Sequence, residues 1–308
     1  MNALPRRRFL QISAAALAGT ATGVSAQAAA PVQWRGVAMG AGATITLAHP
    51  DAEALIASAL AEIARLERIF SLHDAASAVS RLNATGRLET PPFELLECFA
   101  LCSAVHTASG GRFDPTVQPL WQLYAESAGQ APAQAALAER LALVGWQAVR
   151  FDADAVHLPH PGMAITLNGV AQGYVADRVA ALLRTKGLRD VLVNTGEFHA
   201  LGVAPDGHDW RIALDDRSGI APSPVSLRDG AMASSAPRGT TFDAAEQIGH
   251  ILDPQSGLPA RTPWQLISVT APQAALADAL STAMCLMDRA EMTALLGQFP
   301  AARLVHLS

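Results

Sequence analysis

Residues 274–287, AALADALSTAMCLM, have the pattern of a buried helix with one carboxylate, Asp278, in its middle. Thr270 and Pro272 upstream read as a helix start, which sets Asp278 about two turns in, beyond the free N–H groups that a capping Asp serves. An ionised carboxylate among Ala, Leu, Met and Cys is costly to desolvate and needs a partner. The helical period stacks Ser281 and Thr282 on the same face, three and four residues on. One negative charge beside two hydroxyls suits a hard cation such as Mg²⁺. The same residues also fit an Asp hydrogen-bonded to its own helix or to a neighbouring loop.

Six glycine-centred clusters lie elsewhere: AMGAGATITL (38–47), GGRFDPTVQPLW (110–121), LNGVAQGYVAD (167–177), VNTGEFHALG (193–202), AMASSAPRGT (231–240) and GHILDPQSGLPA (249–260). Glycine lets a backbone approach a ligand closely and aim its N–H groups at an anion. Taken singly, each is also an ordinary turn.

The elements that must position these clusters follow from periodicity. Ile56, Leu60, Ile63, Leu66 and Phe70 recur at helical spacing. FELLECFALCSAVHTASGG is a second helix stopped by Gly110-Gly111, APAQAALAERLALVGW a third, and QGYVADRVAALLRTKG a fourth closed by Gly187. Short strands are expected in AVRFD, AITL, DVLVNTG, WRIALD, LISVTA and ARLVHL. Helices and strands are mixed rather than strictly alternating, so the expected fold class is α+β: one compact, bilobed or undivided domain of mixed sheets flanked by helices, spanning 27–308.

In this order the clusters resemble the FAD:protein FMN transferase (ApbE-like) family, from Met39 to about Leu286. The resemblance rests on Met39-Gly40, Phe70-Ser71 with Ser77 and Leu82-Asn83, Gly110-Gly111 with residues 113–117, Gly173-Tyr174 with Asp177, and residues 193–196. It continues through Ala233-Ser234-Ser235, residues 250–254 with Gly257, and Ala277-Asp278 with Thr282. It implies an exported, Mg²⁺-dependent enzyme that splits FAD and attaches the FMN half to a threonine of a flavoprotein, releasing AMP. Carried over residue by residue, Asp278, Thr282 and the backbone carbonyl of Ala171 would bind the metal. Met39, Gly40, Ser71, Asp114, Thr116, Gln172, Gly173, Gly196, Ser234, Ser235 and His250 would line the FAD site. His250 is the candidate to take the hydroxyl proton, since imidazole titrates near neutral pH; a surface or phosphate-contacting histidine is the other reading. Tyr174 reads as core rather than flavin-stacking.

The chain departs from the family's pattern at several positions. Gln172 stands where Lys is usual, which removes a fixed positive charge and leaves backbone N–H groups, Arg238 or the metal to compensate. Ala41 replaces Thr after Met39-Gly40, Leu72-His73 replace an aromatic, Ala78 replaces an acid, and Glu197 follows Gly196 where Gly-Asp is common. NGVAQGYVAD with NTGE is similar to the NosX-like branch, which implies a NosR-like membrane flavoprotein of nitrous oxide reduction as acceptor. An FAD pyrophosphatase and a non-catalytic flavin carrier are the alternatives.

Composition excludes several classes. The chain opens with a charged front, an Ala-rich apolar stretch and a small-residue exit at Val24-Ser25-Ala26, which is an export signal over 1–26; Arg6-Arg7-x-Phe9-Leu10 resembles the twin-arginine type, and a Sec signal is the alternative. Of 22 basic and 27 acidic residues, Arg6, Arg7 and Arg8 leave with it, so the mature chain carries 19 against 27, a formal −8. That balance argues against a nucleic-acid partner. Lys186 is the only lysine, so no Gly-Lys-Ser/Thr phosphate loop exists. No later stretch is long and apolar enough to span a bilayer, so a periplasmic location is expected. Cys98, Cys102 and Cys285 read as small buried hydrophobes.

Overall fold

The structure is a computed structural model that describes residues 30–216 and 223–308; the expected leader lies outside them. Its strands are β1 (Val32–Ala38), β2 (Ala41–Leu47), β3 (Arg87–Glu89), β4 (Arg150–Phe151), β5 (Ala155–His157), β6 (Val191–Asn194), β7 (Phe198–Leu201), β8 (Trp210–Ile212), β9 (Val225–Leu227), β10 (Gly230–Ser235), β11 (Ile267–Ala271) and β12 (Arg303–Leu307). Its helices are α1 (Ala52–Phe70), α2 (Ala78–Thr85), α3 (Phe93–Ala108), α4 (Gln118–Glu126), α5 (Gln134–Leu141), α6 (Ala171–Thr185), α7 (Ala274–Met284) and α8 (Arg289–Gly297).

Seven strands form one sheet in the order β1-β2-β6-β7-β10-β11-β12, with every pairing antiparallel. Side chains alternate between its faces, as the two-residue strand period requires. Val191, Val193, Ala231, Ala233, Ile267 and Val269 enter a large core shared with α1, α3, α6 and α7. Leu192, Phe198, Ala200 and Met232 point the other way, against Trp210, Ile212 and Leu227 of the β8–β9 ribbon. Burial on both faces is why residues 191–194 read as a continuous apolar run rather than an alternating one. The result is the expected α+β class.

The 3.6-residue pattern placed α1, α3, α5 and α6 correctly, whereas AITL is not a strand. Its backbone is satisfied by a side chain: Asn83 accepts from the Ile165 N–H and donates to the Ile165 carbonyl, both at 2.8 Å. Central strand β10 lies in the glycine-centred cluster 231–240 and has no strand signal in sequence, because Ala, Met and Ser carry little strand propensity; its place in the sheet comes from its neighbours. Thr270 belongs to β11, so α7 begins at Ala274 and Asp278 is its fifth residue, little more than one turn in rather than two. All three cysteines are free and buried, as expected. No helix among the described residues is long and apolar enough to cross a membrane.

Candidate active site

Helices α6 and α7 cross at their N-terminal ends, and the crossing is close because residue 173 has no side chain. A Cβ there would lie 2.4 Å from the Ala274 carbonyl oxygen. Beside this contact Asp278 is 4 % exposed, and its Oδ2 accepts from the Gly173 N–H at 3.4 Å. Burial drives the Asp278 carboxyl up to about 8, against the pull of that N–H and with the neighbouring Asp177 charge adding to the rise. Four residues on, the Thr282 hydroxyl abuts Gly169, in the loop leading into α6. Ala171, the first residue of α6, lies between these two contacts in sequence and is buried.

Strand β10 supplies the next oxygen. Ser235 Oγ is 2.7 Å from Ser281 Oγ and 3.4 Å from Thr282 Oγ1, so it joins the α7 face. Ser234, one residue earlier, points to the other face, where its Oγ meets Ser268 Oγ at 2.8 Å. Strand alternation thus separates two hydroxyls that the sequence reading assigned to one ligand. The Ser234 N–H is held by Glu197 Oε2 at 3.0 Å. Gly196 adopts φ +109°, and Gln172 lies against it: a Cβ at 196 would be 2.7 Å from the Gln172 side-chain amide carbon. Thr195 Oγ1 donates to the Gln172 carbonyl at 2.9 Å, which ties the β6–β7 turn to the start of α6.

The donor set fits a hard divalent cation. Asp278 and Thr282 offer carboxylate and hydroxyl oxygens beside the start of α6, and among the described residues no cationic side chain pairs with Asp278. A carbonyl at a helix start keeps a second lone pair after accepting its helical hydrogen bond, so Ala171 can contribute. No group of three or more His, Cys, Asp or Glu side chains forms an all-protein cage among the described residues. Magnesium does not need one, since one or two carboxylates plus substrate phosphates is its usual arrangement.

A family model described as the ApbE family matches residues 39–304. The chain belongs to the ApbE family. It is 32 % identical over 237 residues to a FAD:protein FMN transferase of Klebsiella pneumoniae (strain 342), covering 72 % of each chain. To the FAD:protein FMN transferase of Treponema pallidum (strain Nichols) it is 31 % identical over 215 residues, 62 % of this chain and 59 % of that one, so it spans less than two thirds of that relative. Among solved structures, the apo form of Pseudomonas stutzeri flavinyl transferase ApbE superposes with TM-score 0.79 at 27 % identity, covering 88 % of this chain and 89 % of that one. The ApbE protein of Thermotoga maritima gives TM-score 0.80 at 26 % identity, covering 89 % and 93 %.

Other ApbE motif residues do structural work here. Asp114 and Thr116 bond each other; Asp114 also accepts from the Trp146 N–H at 3.0 Å, and Thr116 Oγ1 accepts from the Gly145 N–H at 2.7 Å. The Thr116 hydroxyl thus gives its proton to Asp114 within the loop. The loop nonetheless adjoins α6: the Thr166 N–H donates to the Pro115 carbonyl at 2.8 Å, and Phe113 packs on Gly169. Ser71 Oγ accepts from the N–H groups of His73 and Asp74, closing the turn after α1. Tyr174 is core, as expected, edge-on to Phe70 with its hydroxyl donating to Glu97. Met39 and Gly40 form the two-residue turn of the β1–β2 hairpin, both with positive φ; Glu67 Oε1 holds the Met39 N–H at 2.7 Å. A methionine at φ 51° is uncommon, and the strain fixes that tip.

His250 sits in the segment that returns along the loop leaving β10. Its Nδ1 is 3.0 Å from the Thr240 carbonyl. A carbonyl only accepts, so Nδ1 carries the proton and Nε2 keeps its lone pair. Burial pushes the imidazole below its ordinary value, which favours the neutral form. Among the described residues no hydrogen bond joins His250 to the Asp278 group.

Sequence reasoning missed the part played by Asp177. It accepts from the N–H groups of Ala274 and Ala275 at 2.7 and 3.0 Å, capping α7 from α6, and pairs with His199 Nδ1 at 2.6 Å. Replacing it with Ala strips α7 of its cap. The expected loss is about 2 kcal/mol, read as a fall of several degrees in thermal midpoint, with Asp177→Asn recovering part of it.

Proposed function

We propose that this protein transfers the FMN moiety of FAD to a threonine hydroxyl of an acceptor flavoprotein and releases AMP. Family membership supports this reading. The observation that carries it is the buried Asp278, set with Thr282 and Ser235 against the N-terminus of α6.

Asp278, Thr282 and the Ala171 carbonyl would hold Mg²⁺, which when bound offsets the charge of the pyrophosphate and of the departing phosphate. The acceptor oxygen forms a bond to the phosphorus on the flavin side, the bond from that phosphorus to the AMP oxygen breaks, and the hydroxyl proton passes to Nε2 of His250. The Thr240 carbonyl fixes the tautomer that makes Nε2 the acceptor. The positive end of the α6 dipole favours phosphate, a partial replacement for the charge absent at Gln172. We further propose that the protein works in the periplasm after twin-arginine export, and that its acceptor is a NosR-like membrane flavoprotein.

The test is incubation with FAD, Mg²⁺ and an acceptor, followed by separate measurement of AMP, free FMN and protein-bound FMN. AMP and bound FMN should appear together. Free FMN alone would identify a pyrophosphatase, and FAD recovered intact a carrier.

The role of His250 predicts a pH profile. The base must be unprotonated, so kcat/KM should fall on the acid side, with a midpoint below the ordinary 6.5 because burial depresses the group. Measured between about pH 5 and 8, that limb should vanish in His250→Gln; a limb that persists there removes His250 as the base.

A further inference from the structure

The site holds a second buried carboxylate that the reaction above leaves without a task. Glu197, in the turn between β6 and β7, is 7 % exposed. Among the described residues its carboxylate accepts one hydrogen bond, from the Ser234 N–H, which occupies Oε2. The next residue along β10, Ser235, reaches Ser281 and Thr282 on the face that carries Asp278. Among the described residues no arginine, lysine or histidine offsets either acid. The charges acting on them are negative: Asp278 on Glu197, and Asp177 on Asp278. Two neighbouring carboxylates out of water without a counter-charge are costly, and the fold builds the arrangement deliberately, with the turn pinned by Thr195 to Gln172 and Glu197 pinned to Ser234.

We propose that Glu197 is the second anionic group of the divalent-cation site, so that a doubly charged ion is neutralised by two buried carboxylates, one from α7 and one from the β6–β7 turn. The inference rests on the reading that Asp278 and Thr282 hold the ion. It assigns a charge-balancing role to a residue whose position otherwise looks like a strand turn. It also predicts that the protein binds the cation measurably before any phosphate arrives, because neutralisation does not depend on the substrate.

The experiment uses the full chain, freed of metal with EDTA and titrated calorimetrically with Mg²⁺ in the absence of FAD. Glu197→Gln keeps an oxygen for the Ser234 N–H and nearly the same volume. Its affinity for Mg²⁺ should fall about 10- to 100-fold, the range seen when groups supporting metal ligands are removed. Its metal-free thermal midpoint should match or exceed that of the unsubstituted protein, since a buried charge is gone. Glu197→Asp keeps the charge and should bind more tightly than Glu197→Gln; equal affinities for these two variants overturn the proposal even where both are less stable. Asp278→Asn separates the two layers of the argument. If it loses Mg²⁺ binding while Glu197→Gln keeps full affinity, the Glu197 assignment fails and the cation site stands. If Asp278→Asn itself binds like the unsubstituted protein, the cation site fails, and the assignment with it.

Discussion

Asp278→Ala should abolish Mg²⁺-dependent release of AMP from FAD, lowering turnover by at least about a thousandfold, while leaving the metal-free protein as stable as before or more so. The first half follows from charge. A carboxylate that fixes a cation against a pyrophosphate supplies several kcal/mol of stabilisation to the departing charge. The second half follows from burial. A carboxyl held at about 8 binds its proton more tightly in the folded chain than in the unfolded one. Stability is then fully kept below the unfolded value and lost as pH climbs towards 8. In EDTA, the thermal midpoint should rise as pH is lowered from 8 to about 6, and Asp278→Ala should flatten the rise. Saturating Mg²⁺ should remove it from the unsubstituted protein, because a bound cation stabilises the ionised form. A structural Asp, needed only for hydrogen bonds inside the fold, would show the reverse: Asp278→Ala less stable in EDTA, with turnover reduced only in step with unfolding. Melting curves across pH, with and without metal, decide between the two before any acceptor is identified.

Asp278 was legible from sequence because a lone charge in an apolar run is anomalous on any fold. Glu197 carries a weaker form of that signal, an acid just before Phe198 in a buried segment, yet it follows Asn194, Thr195 and Gly196, and a turn accounts for a polar residue without further cause. Asp177 looks like one charged position on an amphipathic helix. Its task depends on the N-terminus of α7, 97 residues later, and no local pattern encodes that distance. Asp114, Thr116 and Ser71 enter the expected site through the family resemblance, and the hydrogen bonds they make within their own turns are local ones, as is usual for polar residues in tight turns. Helices announced themselves through periodicity; β10 did not, because small side chains let α7 pack against it and small side chains hide a strand. The sequence features that make a good interface between helix and sheet are thus the ones that erase its pattern.

Gly173→Ala should cost more than its single methyl group suggests. The added Cβ would lie 2.4 Å from the Ala274 oxygen, 2.5 Å from the Ala274 carbonyl carbon and 2.6 Å from the Ala275 nitrogen. These are backbone atoms of α7, so no rotamer change relieves the clash and the helices must separate. Overpacking of a side-chain core typically costs about 1–3 kcal/mol, and a backbone obstacle places this variant at or above the upper end. Separation also loosens three bonds made at the crossing, Gly173 to Asp278 and Asp177 to Ala274 and Ala275. A displacement of about 1 Å at such a site can lower turnover about a hundredfold. Gly173→Ala should therefore lose thermal stability and Mg²⁺ affinity together, even at temperatures where it remains folded. Gly297→Ala is the control, since nothing lies within 4 Å of a Cβ at that exposed helix end, and it should melt within a degree or so of the parent. If Gly173→Ala melts like the parent and keeps its response to Mg²⁺, then α6 and α7 do not meet as described, and the proposal that Ala171, Asp278 and Thr282 share one ion loses its structural basis.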